Sequence, residues 1–516
     1  MNNVKIPSNI LQNRHTAFIF PLAIITVILL FGIWSLVYLT DDAANPFSDM
    51  YLTPWLLLLG IVIAVPNVYL IYKNQFHLFH PLTFAAWSYF VPGFLIGGLL
   101  LASGLSQPFY LTLIDDERYN LPLTVFYIAL GYIGLTIGFF LPLAATAGKY
   151  VSKKLPIWEW RAEDLLFPGL VLLSIGLANN IIAFGLGILG YQSSNEIGQY
   201  DGLLFLLTLL WLQGSFILWM SIFKTRQLGF TQYMVIALLL GTSLAKAVFQ
   251  GNRGSLAGIF FMVACAFVFS VDRIKFKHVV YGGVLLAVSV IAGMIYGTTF
   301  RAVKQTEAKV SIDQYAGNIG TTFDQLSEQD LGKNLGEGFL ALAERLDSVS
   351  SLAVVVSNYE KLEPYEAGYG IKDNIWNDSI YFLIPRFVWK DKPIGSSPRD
   401  FSALYFNYGE NSFIITPIGD LLRNFGPSGV LLGMIFLGFT LGFFYNALIL
   451  NQPGSVWRTT LYYILLSTVS YEGFYGVIFP NMMRYGFITM VGILLINFLQ
   501  GDKKQTTGTI RNARPA

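Results

Sequence analysis

The chain has 516 residues, of which 54% are hydrophobic and only 12% charged, with a mean hydropathy of +0.55 and a formal net charge of +2. That balance belongs to a polytopic membrane protein, excludes an ordinary soluble domain and gives no electrostatic footprint for nucleic acid. The single cysteine, Cys265, leaves no disulfide to form, and His15, His77, His80 and His278 show no metal-ligand spacing, so no metal and no other cofactor is expected.

A membrane span needs about 20 apolar residues. In chain order such runs lie near 17–39, 54–72, 82–102, 121–145, 165–190, 202–223, 232–250, 254–271, 279–300, 427–450, 458–479 and 482–500, about twelve in all. The first is too long, and too free of a small-residue cleavage site, to be a removable signal peptide. Loop charge alternates. Lys5 and Arg14 precede the first run, and Lys73, then Lys149, Lys153, Lys154 and Arg161, follow the second and fourth. Lys224 and Arg226, Arg273, Lys275 and Lys277, and Arg458 follow the sixth, eighth and tenth, and the tail carries Lys503, Lys504, Arg511 and Arg514. The intervening loops carry Asp41, Asp42, Asp49, Asp115, Asp116, Glu117, Glu196 and Asp201 instead. The positive-inside rule then puts both termini in the cytoplasm and segment 301–426 outside it.

The expected fold is therefore an all-α polytopic membrane protein. Nine transmembrane helices occupy 1–300, a large and partly helical extracytoplasmic loop 301–426, and three transmembrane helices 427–501. Residues 502–516 are polar and read as a disordered cytoplasmic tail. No internal repeat is visible.

A loop of this length should carry its own structure. From Gly338 to Tyr359, apolar residues recur at Phe339, Leu342, Leu346, Val349, Ala353 and Val356, which is helix spacing, with Glu344, Asp347 and Ser350 off the stripe. This predicts a helix on the outer membrane surface or capping the bundle. Next comes Ile384-Pro-Arg-Phe-Val-Trp-Lys-Asp-Lys-Pro393, which sets Arg386, Lys390 and Lys392 around Trp389 between two prolines. Proline restricts itself and its predecessor, so this is a stiffened loop, suited either to an anionic or sugar-bearing ligand or to a charged surface turn. A turn-rich link, Gly395-Ser-Ser-Pro398 with Arg399 and Asp400, follows. The loop ends in Thr416-Pro-Ile-Gly-Asp420-Leu-Leu-Arg423-Asn-Phe-Gly426. The three-residue spacing of Asp420 and Arg423 puts both on one side of a helical turn. There they are either an exposed pair of little consequence or a base and an anion clamp at a cavity mouth.

A charge at mid-membrane costs roughly 2.5–3.5 kcal/mol, so each needs a reason. Lys246 lies within the seventh run, and Arg253 in the tight link Gly251-Asn-Arg-Gly254; Gln250 shares their face if the helix persists. Arg301 ends the ninth run. Glu472 lies in the eleventh and Arg484 starts the twelfth, with Glu472 placed to neutralise Arg484 or Lys246 or to act in catalysis. Asn179 and Asn180 are expected to bond neighbouring helices. The costly polar groups thus gather at one membrane face beneath one loop. Arginine forks match phosphate geometry, so a lipid-linked pyrophosphate at the outer leaflet fits the arrangement.

These residues resemble the oligosaccharide repeat-unit polymerases, the Wzy-type polymerases of O-antigen, capsule and exopolysaccharide. The resemblance rests on Asn252-Arg253-Gly254, on Arg345-Leu-Asp347, on Ile384-Pro-Arg386 through Trp389 to Lys392-Pro393, and on Gly419-Asp420 with Asn424-Phe-Gly426. It spans about 240–430, less than half of the chain. One departure is Asp420, where many relatives carry Glu.

The resemblance implies a GT-C-like, metal-independent glycosyltransferase in the bacterial cytoplasmic (inner) membrane, active at its outer face. It would transfer a growing glycan from undecaprenyl pyrophosphate to a new lipid-linked repeat unit. A chain-length regulator and a flippase are the protein partners it implies, beside membrane lipids. Such chemistry needs charge stabilisation on the departing pyrophosphate and a base for the attacking hydroxyl. Arg253, Arg301 and Arg386, with Lys392, Arg423 and Lys246, are assigned to the pyrophosphate, and Trp389 to sugar. Asp420, then Glu472, then Asp378 are the candidate bases. The competing expectations are an O-antigen ligase, which shares the donor, a transporter or flippase of lipid-linked sugars, and a non-catalytic partner in a glycan-assembly complex.

Overall fold

Helix is the only regular structure among the residues described by the computed structural model, which are 49–158, 160–189, 200–225, 227–251, 254–271, 274–304, 312–328, 343–386, 388–393, 395–410, 412–452 and 454–500. The expected first span at 17–39 and the tail 502–516 lie outside them. The principal helices in chain order are α1 (Thr53–Tyr72), α2 (Pro81–Ala102, with a π-helical middle), α3 (Glu117–Phe140), α4 (Pro142–Lys154), α5 (Leu166–Gly185), α6 (Asp201–Lys224), α7 (Phe230–Gln250) and α8 (Ser255–Ser270). They continue as α9 (Phe276–Lys304), α10 (Ile312–Glu328), α11 (Ser348–Glu366), α12 (Asn374–Leu383), α13 (Pro398–Phe406), α14 (Thr416–Tyr445), α15 (Val456–Ser467) and α16 (Ile478–Leu499). Among the described residues nine helices are long and apolar enough to cross a membrane, and α8 is a shorter apolar one. The protein is a polytopic α-helical membrane protein.

Small residues set its closest packing. Lipid gives helices no hydrophobic reason to associate, so backbone approach at glycine carries the contact. A Cβ on Gly138 of α3 would collide with the Ile435 carbonyl of α14, and one on Gly438 with the Leu135 carbonyl. Gly134 meets Leu431, Gly442 meets Phe139, and Gly148 of α4 meets Phe443 and Asn446. The residue numbers rise together along both helices, so α3 and α14 are parallel. Between them the five apolar helices α5–α9 supply five crossings with the short α8 included, an odd number that fits parallel packing. α5 and α6 run antiparallel instead, with Gly176 on Trp211 and Gly214 on Leu173 and Gly169. We call the end of the bundle that bears α10–α13 the loop face, and the end with Lys73, Lys149, Lys224 and Arg458 the basic face.

Two expected boundaries change. The run 427–450 is the end of a helix that begins at Thr416 and bends at Gly426, whose φ of 67° suits glycine. The run 458–479 is not one span. Helix α15 stops at Ser467, where Thr468 Oγ1 donates to the Leu465 carbonyl, and the Glu472 N–H then turns to Ser470 Oγ. Hydroxyls offer the backbone an alternative to the helix ladder, and here they take it. Glu472 therefore lies in a connection rather than inside a membrane helix. Arg458, counted above as a loop charge, is 1% exposed. Its guanidinium donates to Ser152 Oγ and to the carbonyls of Ala447, Ser152, Leu155 and Pro156, which ties α4 to α15. Asn179 donates to the Ile175 carbonyl of its own helix, whereas Asn180 reaches across to the Thr208 carbonyl as well.

The loop helix is present, with one break and a deeper seat than a surface helix. Phe339 and Leu342 lie outside the described residues; residues 343–346 are helical as expected, but the helix breaks at Asp347, which caps α11 by accepting from the Ser350 N–H. Ser348 to Val356 are all buried, Asp347 and Ser350 included. A helix apolar on one side would lie on the surface, whereas one buried all round is surrounded. The Leu346 carbonyl and Asp347 Cα sit at the position a Cβ on Gly97 would take, and Val349 against Gly98, so α11 plugs the loop-face end of α2. Its polar groups make this affordable: Tyr89 OH donates to Ser348 Oγ, Ser106 and Ser350 donate to Asp347, and Ser351 donates to the Ile414 carbonyl.

Candidate anion-binding site

The first turns of α14 place Asp420 and Arg423 on one side, and there they bind each other at 2.8 Å. The pair is enclosed. Arg423 also meets Glu366, at the end of α11, at 2.9 Å, and donates to the Ile371 carbonyl and to Asn374 Oδ1. Asp420 is 0% exposed and accepts from Arg423, Asn374, Asn424 and the backbone N–H groups of Tyr475 and Gly476. Glu366 accepts from Tyr405 OH as well. Burial raises its pKa, against the lowering effect of Arg423. Every charge in this joint has its counter-charge or hydrogen bonds inside the protein, which is what a buried ion pair requires. The joint fastens together α11, α12, α14 and the approach to α16.

Helix α12 carries that rigidity outward. Asn374 at its start belongs to the joint, and Ser379 Oγ points at the Gly476 carbonyl, 3.4 Å away. At its far end, Lys392 Nζ donates to the Tyr381 and Ile384 carbonyls at 2.8 and 3.1 Å. Terminal helix carbonyls lack intrahelical donors and attract cations. The Ser396 N–H donates to Asp378 Oδ1 at 2.9 Å. Burial raises the pKa of Asp378, and the nearby charge of Asp420 adds to the rise. The chain beyond α12 is thus tied back to it at Lys392 and at Ser396.

Cations converge on this segment. The pKa of Lys392 is lowered first by burial and then by Arg386 and by Arg484 of α16. The Arg484 guanidinium also lies at the start of α6, where a Cβ on Gly202 would be 3.9 Å away. No ion pair or hydrogen bond engages Arg386 or Arg484 among the described residues. Trp389 packs against Tyr381, with ring centroids 5.8 Å apart. Arg386 and Lys392 of the loop, Arg484 of α16 and an aromatic pair, with Asp391 of the same loop forming no ion pair with any of them among the described residues, form a surface that attracts a multivalent anion.

The other expected site residues are placed as follows. Arg253 lies outside the described residues. Arg301 and Lys304 share the last turn of α9, and Arg399 acts electrostatically on Lys304. Lys246 Nζ stands 4.1 Å from the ring centroid of Trp211, a cation–π contact between α7 and α6. Glu472 pairs with Arg345 at 3.0 Å, so it neutralises neither Arg484 nor Lys246. Arg423 sits among carboxylates, apart from the three converging cations. Sequence reasoning missed Glu366, Asn374 and the part played by Arg484. The polar run Asp420, Arg423 and Asn424 signals that buried partners must exist, but not which ones.

No protein-family model, no curated protein and no solved structure matches this chain.

Proposed function

We propose that the protein is a glycosyltransferase that polymerises undecaprenyl-pyrophosphate-linked oligosaccharide repeat units at the outer face of a bacterial cytoplasmic membrane, on a GT-C-like fold of about twelve spans. The observation that carries this reading is the convergence of Arg386 and Arg484 on Lys392, with no ion pair engaging any of the three among the described residues. Two of the three come from the motif that resembles the repeat-unit polymerases. In this reading both termini are cytoplasmic, and Arg253 and Arg301 add to the pyrophosphate site.

The reaction joins the acceptor hydroxyl oxygen to the anomeric carbon of the donor glycan. The bond from that carbon to the pyrophosphate oxygen breaks, and its electron pair leaves with the pyrophosphate. The cations stabilise the charge that develops there. The hydroxyl proton goes to a carboxylate. Asp420 and Asp378 are both 0% exposed, whereas the Glu472 side chain is 48% exposed, so Glu472 alone of the three offers a surface that substrate can touch. Asp420, Arg423 and Asp378 then act as positioning residues for α12 and its loop. Trp389, set against Tyr381, is the stacking surface for a sugar ring.

The test is a purified protein given lipid-linked repeat units, with and without a chelator, read as a ladder of longer lipid-linked glycans. A charge-assisted contact is worth about 1.5–3 kcal/mol, so Arg386→Ala and Arg484→Ala should each lower turnover by roughly 10- to 150-fold. The chelator should change nothing. An absent ladder, with substrate crossing a liposome bilayer instead, overturns the reading in favour of transport.

A further inference from the structure

We infer that the basic-face ends of α1, α3 and α4 form a binding site for anionic phospholipid headgroups. This inference is independent of the catalytic reading. It starts from a belt of exposed aromatic and cationic side chains. Lys73 Nζ lies 5.6 Å from the ring centroid of Tyr69 and 5.8 Å from that of Tyr72. Tyr69 meets Phe140 edge-to-face, with centroids 5.4 Å apart, and so joins the end of α1 to the end of α3.

After Phe140 the chain breaks at Leu141 and Pro142 and continues as α4. One side of α4 is fixed: Gly148 packs on Phe443 and Asn446, and Ser152 is held by Arg458. The other side presents Leu143 and Tyr150, 66% and 65% exposed, together with Lys149, Lys153 and Lys154. Lys154 Nζ lies 5.9 Å from the Tyr150 ring centroid.

Two features select the occupant. The first is charge: neither Tyr69–Lys73 nor Phe140–Lys154 contains an acidic residue, and no ion pair engages Lys73, Lys149, Lys153 or Lys154 among the described residues. The second is place. Tyr69, Tyr72 and Phe140 end helices long and apolar enough to cross the membrane, which puts the belt at headgroup depth. Lysines immediately beyond a span, beside interfacial aromatics and an apolar stripe, match a phosphodiester headgroup with its acyl chains below.

The experiment uses the full chain, extracted from mixed bilayers of phosphatidylglycerol and phosphatidylcholine, with retained lipids counted by native mass spectrometry. Wild type should retain phosphatidylglycerol in preference. K149A/K153A/K154A should lose that preference by about fivefold per lysine at low ionic strength, with less difference in high salt. Tyr150→Ala, which keeps the charge, should lose less. All three lysines are exposed, and an unchanged melting temperature verifies the fold. Equal retention of the two lipids by wild type overturns the inference, as does a triple variant that keeps the wild-type preference.

Discussion

Two groups of charges lie at the two ends of α12, and the protein treats them in opposite ways. At its start, Arg423 is closed in by Glu366 and Asp420, and the joint is buried. At its far end, Arg386 and Arg484 both act electrostatically on Lys392, and no ion pair engages any of the three among the described residues. The same residue types are structural where the protein supplies the counter-charge and available to a ligand where it does not. Burial alone does not separate the two cases. Arg458 is buried with no carboxylate at all, yet backbone carbonyls use up its donors. What distinguishes the cation group is unspent hydrogen-bonding capacity on Arg386, in a braced loop, and on Arg484 of α16.

The largest expected effect breaks the joint. Removing one member of a buried ion pair leaves an uncompensated charge and costs about 3–5 kcal/mol. Arg423→Met should therefore lower stability by that order, measured by denaturant unfolding in detergent. Combining it with Asp420→Asn and Glu366→Gln should recover a large part, because the stranded charges go too. Arg484→Met should leave stability nearly unchanged or raise it, since it relieves repulsion with Lys392. If Arg484→Met proved as damaging as Arg423→Met, the contrast between the two groups would fail.

Asp347 gives an intermediate case: a buried acid with hydroxyl and N–H donors but no cation paired with it. Burial raises its pKa from 3.8 to about 6, despite the donors. The native state thus holds this proton more tightly than the unfolded chain. Its contribution favours folding below the unfolded pKa and is lost as pH rises through about 6. A shift of this size corresponds to about 3 kcal/mol. Thermal melts should show a component that destabilises between pH 4 and pH 7 in wild type and vanishes in Asp347→Asn. A wild-type and variant pair with parallel pH profiles would show that the capping hydrogen bonds outweigh the burial.

Much of the bundle was legible because membrane helices announce themselves by length and apolarity, and the alternating loop charges fit the parallel run of α3 and α14. The joint was half legible. The spacing of Asp420 and Arg423 puts them together, but nothing local identifies Glu366 or Asn374 as partners, since tertiary packing brings them in. The stripe through Val349, Ala353 and Val356 marked a helix without revealing that its first half, Ser348 to Val356, is enclosed on every side. Ser348, Ser350 and Ser351 look like a polar face until their partners at Tyr89, Asp347 and Ile414 are known. In the eleventh run, mean hydropathy hid a break that Thr468 and Ser470 create.

The smallest expected effect concerns Arg345 and Glu472, which link the segment before α11 to the connection before α16 across 3.0 Å. Both side chains are nearly half exposed, and exposed pairs contribute about 0–1 kcal/mol. Arg345→Ala and Glu472→Gln should each shift the unfolding midpoint only slightly, far less than any member of the joint. Their effects on turnover should diverge. If Glu472 accepts the acceptor proton, Glu472→Gln abolishes the glycan ladder while donor binding persists, and Arg345→Ala has the milder effect because the carboxylate remains. Equal and small losses from both would return Glu472 to the status of a surface tie. Proton transfer would then fall to Asp378, which can reach substrate only if segment 384–396 lifts from α12, and hydrogen exchange in that segment on adding donor would show it.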